Sequence, residues 1–309
     1  MKISIVVPYY NESLTLKKTL MSLTNQTLAP YEVLLVDSGS TDKSTSIIKE
    51  FIEKNNIRNI KTIYSGQMTP SNSINLGVRN SSGDLIAYID CGLDIPKNWL
   101  ESNYELLICK KIDIISPRVY TDGDEIIDRA FIAHTMGYMS YTPCLTGSLM
   151  KKKIIEDVNY FLENARASYD VDFVKKTKAM NFTRLVNDKV TLRYYGTNFC
   201  NTLSGAILKI SKYSENGWRV NGHFKPYLYI FFLILVILGF YYGLGLSIII
   251  LYLSIRGYLV PILKSSSKIF KDIKLLLILP IVGFTIDISR IIGYLFIHKV
   301  INLQWESSN

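Results

Sequence analysis

The chain has 309 residues, is 48% hydrophobic and carries a net charge of +9 at pH 7, a length that sets an expectation of about two domains. Four cysteines at positions 91, 109, 144 and 200 form no CxxC pair, and the three histidines are scattered, which argues against a disulfide framework or a zinc site. The basic residues flank long apolar runs in the last third of the chain, so the charge points to a membrane surface and not to nucleic acid.

The amino terminus begins with a β-branched run over residues 3–7 that Pro8 ends, too short for a signal peptide. The first part of the chain is therefore expected to stay in a reducing cytosol. Residues 9–12 read as a loop, followed by a helix whose Leu16, Leu20 and Leu23 share one face. Residues 33–36 form a second apolar run that ends in Asp37, and Ile47, Ile48, Phe51 and Ile52 mark a second amphipathic helix. A strand over 60–64 and a helix over 71–80 precede a third run, Leu85, Ile86, Ala87, Tyr88 and Ile89, which stops at Asp90, Cys91 and Gly92. This run is continuous rather than alternating, as expected of a strand covered on both faces. Strands alternating with helices predict a parallel, right-handed α/β sheet. Ligands bind such sheets beyond the carboxyl ends of the strands, where Asp37 and Asp90 fall. From the residues alone, Asp90 reads equally as the opening of a turn before Gly92. Residues 38–42 either present backbone N–H groups to a phosphate or simply cap the second helix.

Four motifs in fixed order carry a resemblance: Val7-Pro8-Tyr9-Tyr10-Asn11-Glu12, Val36-Asp37-Ser38-Gly39-Ser40-Thr41-Asp42, Asn75-Leu76-Gly77, and Gly83-Asp84 leading to Ile89-Asp90. Together they resemble the inverting family-2 glycosyltransferases of GT-A fold. The resemblance implies an α/β, Rossmann-like nucleotide-sugar-binding domain followed by an α-helical transmembrane region. It implies that Pro8, Tyr9, Tyr10, Asn11, Glu12, Asp37, Ser38 and Gly39 line the donor pocket, joined by Asn75 and by Gly147 near both sugars. Asp90 becomes the first acid of the DxD element, at the donor diphosphate and its divalent cation, Mg²⁺ or Mn²⁺. The chain departs from the pattern at three places. Gly92 replaces the second acid, leaving Asp90 with the two phosphates to hold the metal, while the turn at Gly92 leaves the direction of Asp94 open. Ile74 replaces an arginine, for which Arg79 is the substitute. Tyr169 replaces the glutamate before Asp170, which matches the position of the catalytic base. Asp172 competes with Asp170 for that role, and acids in a first helical turn also have a purely electrostatic explanation.

Residues 100–107 read as a helix, 112–116 as a strand and 118–142 as an irregular loop on the acceptor side. The expected boundaries are a catalytic domain over 1–208, a basic and aromatic interfacial segment over 209–226, membrane spans near 227–243, 246–263 and 275–297, and a tail over 298–309. A glycine turn at 243–245 makes the first two spans a hairpin, and the positive-inside rule puts the lysines of 264–274 in the cytosol. Asp287 and Arg290 are expected to pair on one helix face.

The resulting expectation is a bacterial-type integral membrane protein of the inner or cell membrane with a cytosolic catalytic domain. It would be a hexosyltransferase-like enzyme that moves a sugar from a nucleotide-sugar donor, with inversion, to a lipid-linked saccharide or other glycan acceptor. Membrane lipids are expected partners and nucleic acid is not. The alternative is a non-catalytic sugar-nucleotide-binding subunit of a membrane assembly complex, which Gly92, Ile74 and Tyr169 favour.

Overall fold

In the computed structural model, β1 (Ile3–Tyr9), β2 (Glu32–Asp37), β3 (Ile60–Tyr64) and β4 (Leu85–Tyr88) run parallel in the order β3-β2-β1-β4. They are connected through α1 (Leu16–Thr24), α2 (Ser44–Asn55) and α3 (Pro70–Arg79). β1, β2 and β4 are buried along their whole length, as their unbroken apolar runs require. Their side chains alternate between two cores. Ile3, Ile5, Val7, Val33 and Leu35 pack with Leu16, Leu20 and Leu23 on one face, and Val6, Leu34, Val36 and Tyr88 pack with Ile74 and Val78 on the other.

Beyond β4 come β5 (Leu93–Asp94), α4 (Trp99–Lys110), β6 (Ile114–Thr121), α5 (Ile126–Thr135), β7 (Ser140–Pro143), β8 (Leu149–Lys151), α6 (Lys152–Asp157), α7 (Tyr169–Ala179) and β9 (Arg184–Tyr194). The nine-stranded sheet continues from β4 as β8-β6-β9-β5, with β7 on β6. β8 is antiparallel to both β4 and β6, and β5 is antiparallel to β9, so the sheet is mixed where a parallel one was expected. β5 and β8 have two and three residues, too short to show a period in the sequence.

The structure describes residues 1–194, 202–221 and 224–293. The expected tail over 298–309 and the last four residues of the third expected span lie outside them, as do the side chains of Trp218, Arg219, Phe224 and Lys225. By its internal contacts the chain divides into residues 1–120 with 141–195, and residues 121–140 with 196–309.

The second unit contains α5, α8 (Leu203–Asn221), α9 (Phe224–Tyr241), α10 (Gly245–Tyr252), α11 (Val260–Lys264) and α12 (Ile273–Ile292). A π-helical stretch, Leu253–Leu259, makes α10 and α11 one continuous helix, and a 3₁₀ turn, Ser267–Lys271, precedes α12. Gly245–Lys264 and Ile273–Ile292 are each 20 residues long and apolar enough to cross a membrane. Gly243, at φ +74°, turns the chain between α9 and α10, because that left-handed backbone suits glycine. Phe231, Ile237, Phe240, Leu246 and Leu251 of this hairpin are exposed. Residues 118–142 contain α5 instead of the irregular loop expected there. Its Phe131 and Ile132 join Leu275, Leu279 and Val282 of α12 in a third core.

Asp287 does pair with Arg290, at 3.3 Å, but its main partner comes from the other span. Arg256 binds it bidentately, Nε to Oδ2 at 2.8 Å and Nη2 to Oδ1 at 3.2 Å, and the Tyr252 hydroxyl donates to Oδ2 at 2.9 Å. Arg256 Nη1 lies 2.6 Å from His134 Nδ1. A guanidinium only donates, so Nδ1 accepts and the protonated Nε2 donates to the Leu279 carbonyl at 2.8 Å. Burial, and then Arg256, push the His134 pKa down to about 4.

Candidate active site

Asp37 ends β2 and is buried. Its Oδ1 accepts from the Ser40 backbone N–H at 2.8 Å and its Oδ2 from the Thr45 hydroxyl at 3.3 Å. Gly39 makes this turn at φ +88°, where a Cβ would stand 3.1 Å from the backbone of Gly66. The loop after β1 is stitched to the same turn: Asn11 Oδ1 accepts from the Thr41 N–H at 2.8 Å, and the N–H groups of Asn11 and Glu12 donate to the hydroxyls of Ser40 and Ser44. Ser38 shares a 2.7 Å hydroxyl contact with Ser73, and its N–H donates to the Tyr9 carbonyl. Pro8, Tyr9, Asn11, Glu12, Asp37, Ser38 and Gly39 thus form one surface at the carboxyl ends of β1 and β2, from which Tyr10 projects, half exposed. Burial first, and then Asp37, raise the pKa of Tyr9. Burial likewise raises that of Glu12, to which the charge of Asp90 adds.

Asp90 follows β4 and is locked in place. Its N–H donates to the Thr146 hydroxyl at 2.9 Å, its Oδ2 accepts from the Tyr194 hydroxyl at 2.7 Å, and its Oδ1 accepts from the Tyr88 hydroxyl. Tyr88 in turn lies 3.3 Å, oxygen to oxygen, from Tyr169, the residue preceding Asp170. Burial raises the Asp90 pKa and the phenols oppose it, while the negative charge of Asp170 pushes it further up. The charge of Asp170, eighty positions away in sequence, is thus felt at Asp90.

Asp170 opens α7 after Ser168, which sits at φ +63°. Its rival Asp172 is engaged elsewhere, in a 2.8 Å ion pair with Lys176. Among the described residues Asp170 forms no ion pair. Gly147 clamps the loop before β8 onto β4: its N–H donates to the Tyr88 carbonyl at 2.6 Å, and its carbonyl accepts from Trp99 Nε1 at 2.8 Å and Asn103 Nδ2 at 3.2 Å. Asn75 is buried on α3 with both halves of its amide on Phe161, at 3.0 Å each. Arg79, at the end of α3, pairs with Glu163 at 3.2 Å and stacks over Tyr160.

The sequence reading left out Tyr88, Thr146, Tyr169 as a hydroxyl donor, and Tyr194. Tyr88 carried a signal, because a residue two before Asp90 on a strand projects to the same side. Tyr194 had none. It reaches Asp90 only through the antiparallel pairing of β9 with β5, opposite Leu93.

A divalent cation is common among GT-A enzymes, and its fit here rests on Asp90. Gly92 turns at φ +84° with no side chain to offer, and among the described residues no three acidic, histidine or cysteine side chains converge as ligands. Cys91 is turned toward Thr19, at 3.5 Å, with burial pushing its thiol pKa up to about 12. The donor set fits a cation that takes one carboxylate from the protein and the rest of its ligands from phosphate and water, as Mg²⁺ commonly does.

The chain is 28% identical over 167 residues to glycosyltransferase AglE of Haloferax volcanii, covering 52% of either protein. It is 32% identical over 105 residues to the dolichyl N-acetyl-alpha-D-glucosaminyl phosphate 3-beta-D-2,3-diacetamido-2,3-dideoxy-beta-D-glucuronosyltransferase of Methanococcus voltae, covering 33% of either protein. The chain thus spans about half the length of these curated relatives or less. The crystal structure of S. aureus TarS 1-349 in complex with UDP-GlcNAc superposes with a TM-score of 0.50 at 15% identity, covering 95% of this chain and 90% of that one. That likeness shows the fold, which is GT-A-like with a curled mixed sheet. The profile described as Glycosyl transferase family 2 matches residues 4–174, which include Asp37, Asp90 and Asp170, and the chain belongs to that family.

Proposed function

We propose that the chain transfers a sugar, with inversion, from a nucleotide-sugar donor to a lipid-linked acceptor at the cytosolic face of a membrane. The observation that carries this reading is the hydrogen-bonded path from Asp90 through Tyr88 to Tyr169, which sets the end of a sheet strand against the start of α7, where Asp170 stands. Family membership, the name of AglE and the dolichyl-linked substrate named for the Methanococcus relative support it.

In this mechanism the surface from Pro8 to Glu12 with Asp37, Ser38 and Gly39 holds the nucleotide. The Ser40 N–H fixes one oxygen of the Asp37 carboxylate and the Thr45 hydroxyl the other. Asp170 removes the proton of the acceptor hydroxyl as that oxygen attacks C1 of the sugar from the side opposite the diphosphate. Its lack of an ion-pair partner among the described residues keeps its oxygens available as acceptors, whereas Lys176 occupies Asp172. Asp90, oriented by Tyr88 and Tyr194, would hold a divalent cation at the diphosphate, and such an ion would stabilise charge developing on the leaving group. Inversion follows from a single displacement with one base. The apolar helices of the second unit keep the reaction at a membrane, where a lipid-linked acceptor resides.

The test is a screen of nucleotide sugars on membranes containing the chain and a lipid extract, with released nucleoside diphosphate, lipid-bound sugar and its anomeric configuration as readouts. Transfer with inversion is expected. Donor binding without transfer for every donor would leave the non-catalytic binding subunit as the better reading.

A further inference from the structure

In the second unit, Tyr138, Met139, Lys268, Lys271, Asp272, Ile273 and Lys274 line an open surface pocket of about 540 Å³ at the start of α12. Its floor is built rather than incidental. The Tyr138 N–H donates to Ser265 Oγ and the Ser266 N–H to the Tyr138 carbonyl, both at 3.0 Å. The Lys264 ammonium closes the end of α5 by donating to the carbonyls of His134 and Thr135 at 3.0 and 3.1 Å. Gly137, at φ +96°, lets this turn approach so closely that a Cβ there would stand 2.3 Å from the Lys264 carbonyl oxygen.

The walls are cationic. Lys268 and Lys271 are the second and last residues of the same 3₁₀ turn, Ser267–Lys271, in which residues three apart eclipse, so the fold places two like charges on one side. Lys274 follows in the first turn of α12. The nearby acid does not neutralise them: Asp272 Oδ1 caps α12 by accepting from the Leu275 N–H at 3.0 Å, and its Oδ2 accepts from Arg129 at 3.3 Å. Among the described residues no carboxylate pairs with Lys268, Lys271 or Lys274. Leu263 near the end of one helix of membrane-crossing length, Phe270 in the turn that follows, and Ile273 and Leu277 in the first turns of the other are exposed. Apolar and aromatic side chains interleaved with lysine at the end of a span are suited to the headgroup layer.

We infer that this pocket binds the phosphate of an anionic lipid headgroup. Three lysines that line one pocket and have no carboxylate partner among the described residues select negative charge. The flanking apolar side chains lie where the acyl chains of a lipid, and not a free phosphate in water, would continue. The inference is independent of sugar transfer and rests on the membrane reading of Gly245–Lys264 and Ile273–Ile292.

Calorimetry on the purified full chain in a neutral detergent tests it, with dihexanoyl phosphatidic acid, dihexanoyl phosphatidylcholine and inorganic phosphate as probes. Saturable binding of phosphatidic acid is expected, weakened at least about tenfold in K268Q/K271Q/K274Q and retained in K268R/K271R/K274R. Phosphatidylcholine and inorganic phosphate should each bind at least about tenfold more weakly than phosphatidic acid. Equal binding of phosphatidic acid by wild type and the glutamine variant, or loss in both triple variants, would overturn the site. Inorganic phosphate binding as tightly as phosphatidic acid would overturn the lipid as its source. Release of the chain from membranes by alkaline carbonate would refute the membrane reading separately.

Discussion

Asp90 sits where ionisation is disfavoured, since burial and the charge of Asp170 both raise its pKa against the hydrogen bonds of Tyr88, Tyr194 and Thr146. A carboxyl group with a raised folded pKa binds more protons folded than unfolded, so its contribution to stability falls as pH rises from the unfolded value through the folded one. Asp90→Asn should therefore melt at the same temperature as wild type or higher at neutral pH, while sugar transfer falls at least about 100-fold. Calorimetric melts beside transfer assays check both halves. Removing one phenol lifts the Asp90 pKa further, so Tyr194→Phe should move the acid limb of the kcat/KM profile to higher pH, and an unmoved limb would count against Asp90 acting as an anion. Asp37 and Asp90 stood out in the sequence because each ends an apolar run, whereas Asp170 was singled out only through the resemblance to the glycosyltransferase motifs. The tyrosines that hold Asp90 did not stand out, because Tyr194 meets it only through strand pairing 104 positions away.

The elements around the site are held by contacts that admit little substitution. A Cβ at Gly147 would meet Leu192 at 2.3 Å with φ at +79°, so Gly147→Ala combines overpacking with backbone strain. It should cost about 2–4 kcal/mol, read from chemical unfolding. Asn75→Ala would strand a buried N–H and a carbonyl of Phe161, a loss of roughly 2–4 kcal/mol, with donor affinity in the surviving folded protein showing whether Asn75 also meets substrate. The strands β1, β2 and β4 were readable as unbroken apolar runs, and α1 and α2 from apolar residues at helical spacing. β5 and β8 were not, and with them went the antiparallel half of the sheet. Helix α5 was hidden for another reason: its buried face is completed by α12, about 150 residues later, so the local sequence looked irregular.

At the scale of the whole molecule, the apolar runs gave the positions of the helices, while the polar pairing between them depended on tertiary structure. Arg256 and Asp287 lie on different helices, and breaking their bidentate contact with Arg256→Leu leaves a buried carboxylate with weaker partners. The expected loss is about 3–5 kcal/mol, most of it recovered in R256L/D287L, as thermal melts in detergent would show. The lowered pKa of His134 gives this unit a pH dependence of definite sign. The unfolded chain binds the proton near pH 6.5 and the folded one only near pH 4, so stability is lost as pH falls through that window and His134→Asn should lessen the loss. The proposed sugar transfer is placed on residues of the first unit, and the most direct measurement is lipid-bound sugar formed by membranes carrying wild type or Asp170→Asn, with nucleotide-sugar binding measured on the same samples. The account predicts that the variant binds donor as wild type does and transfers at least about 100-fold less sugar. Transfer at the wild-type rate would contradict it.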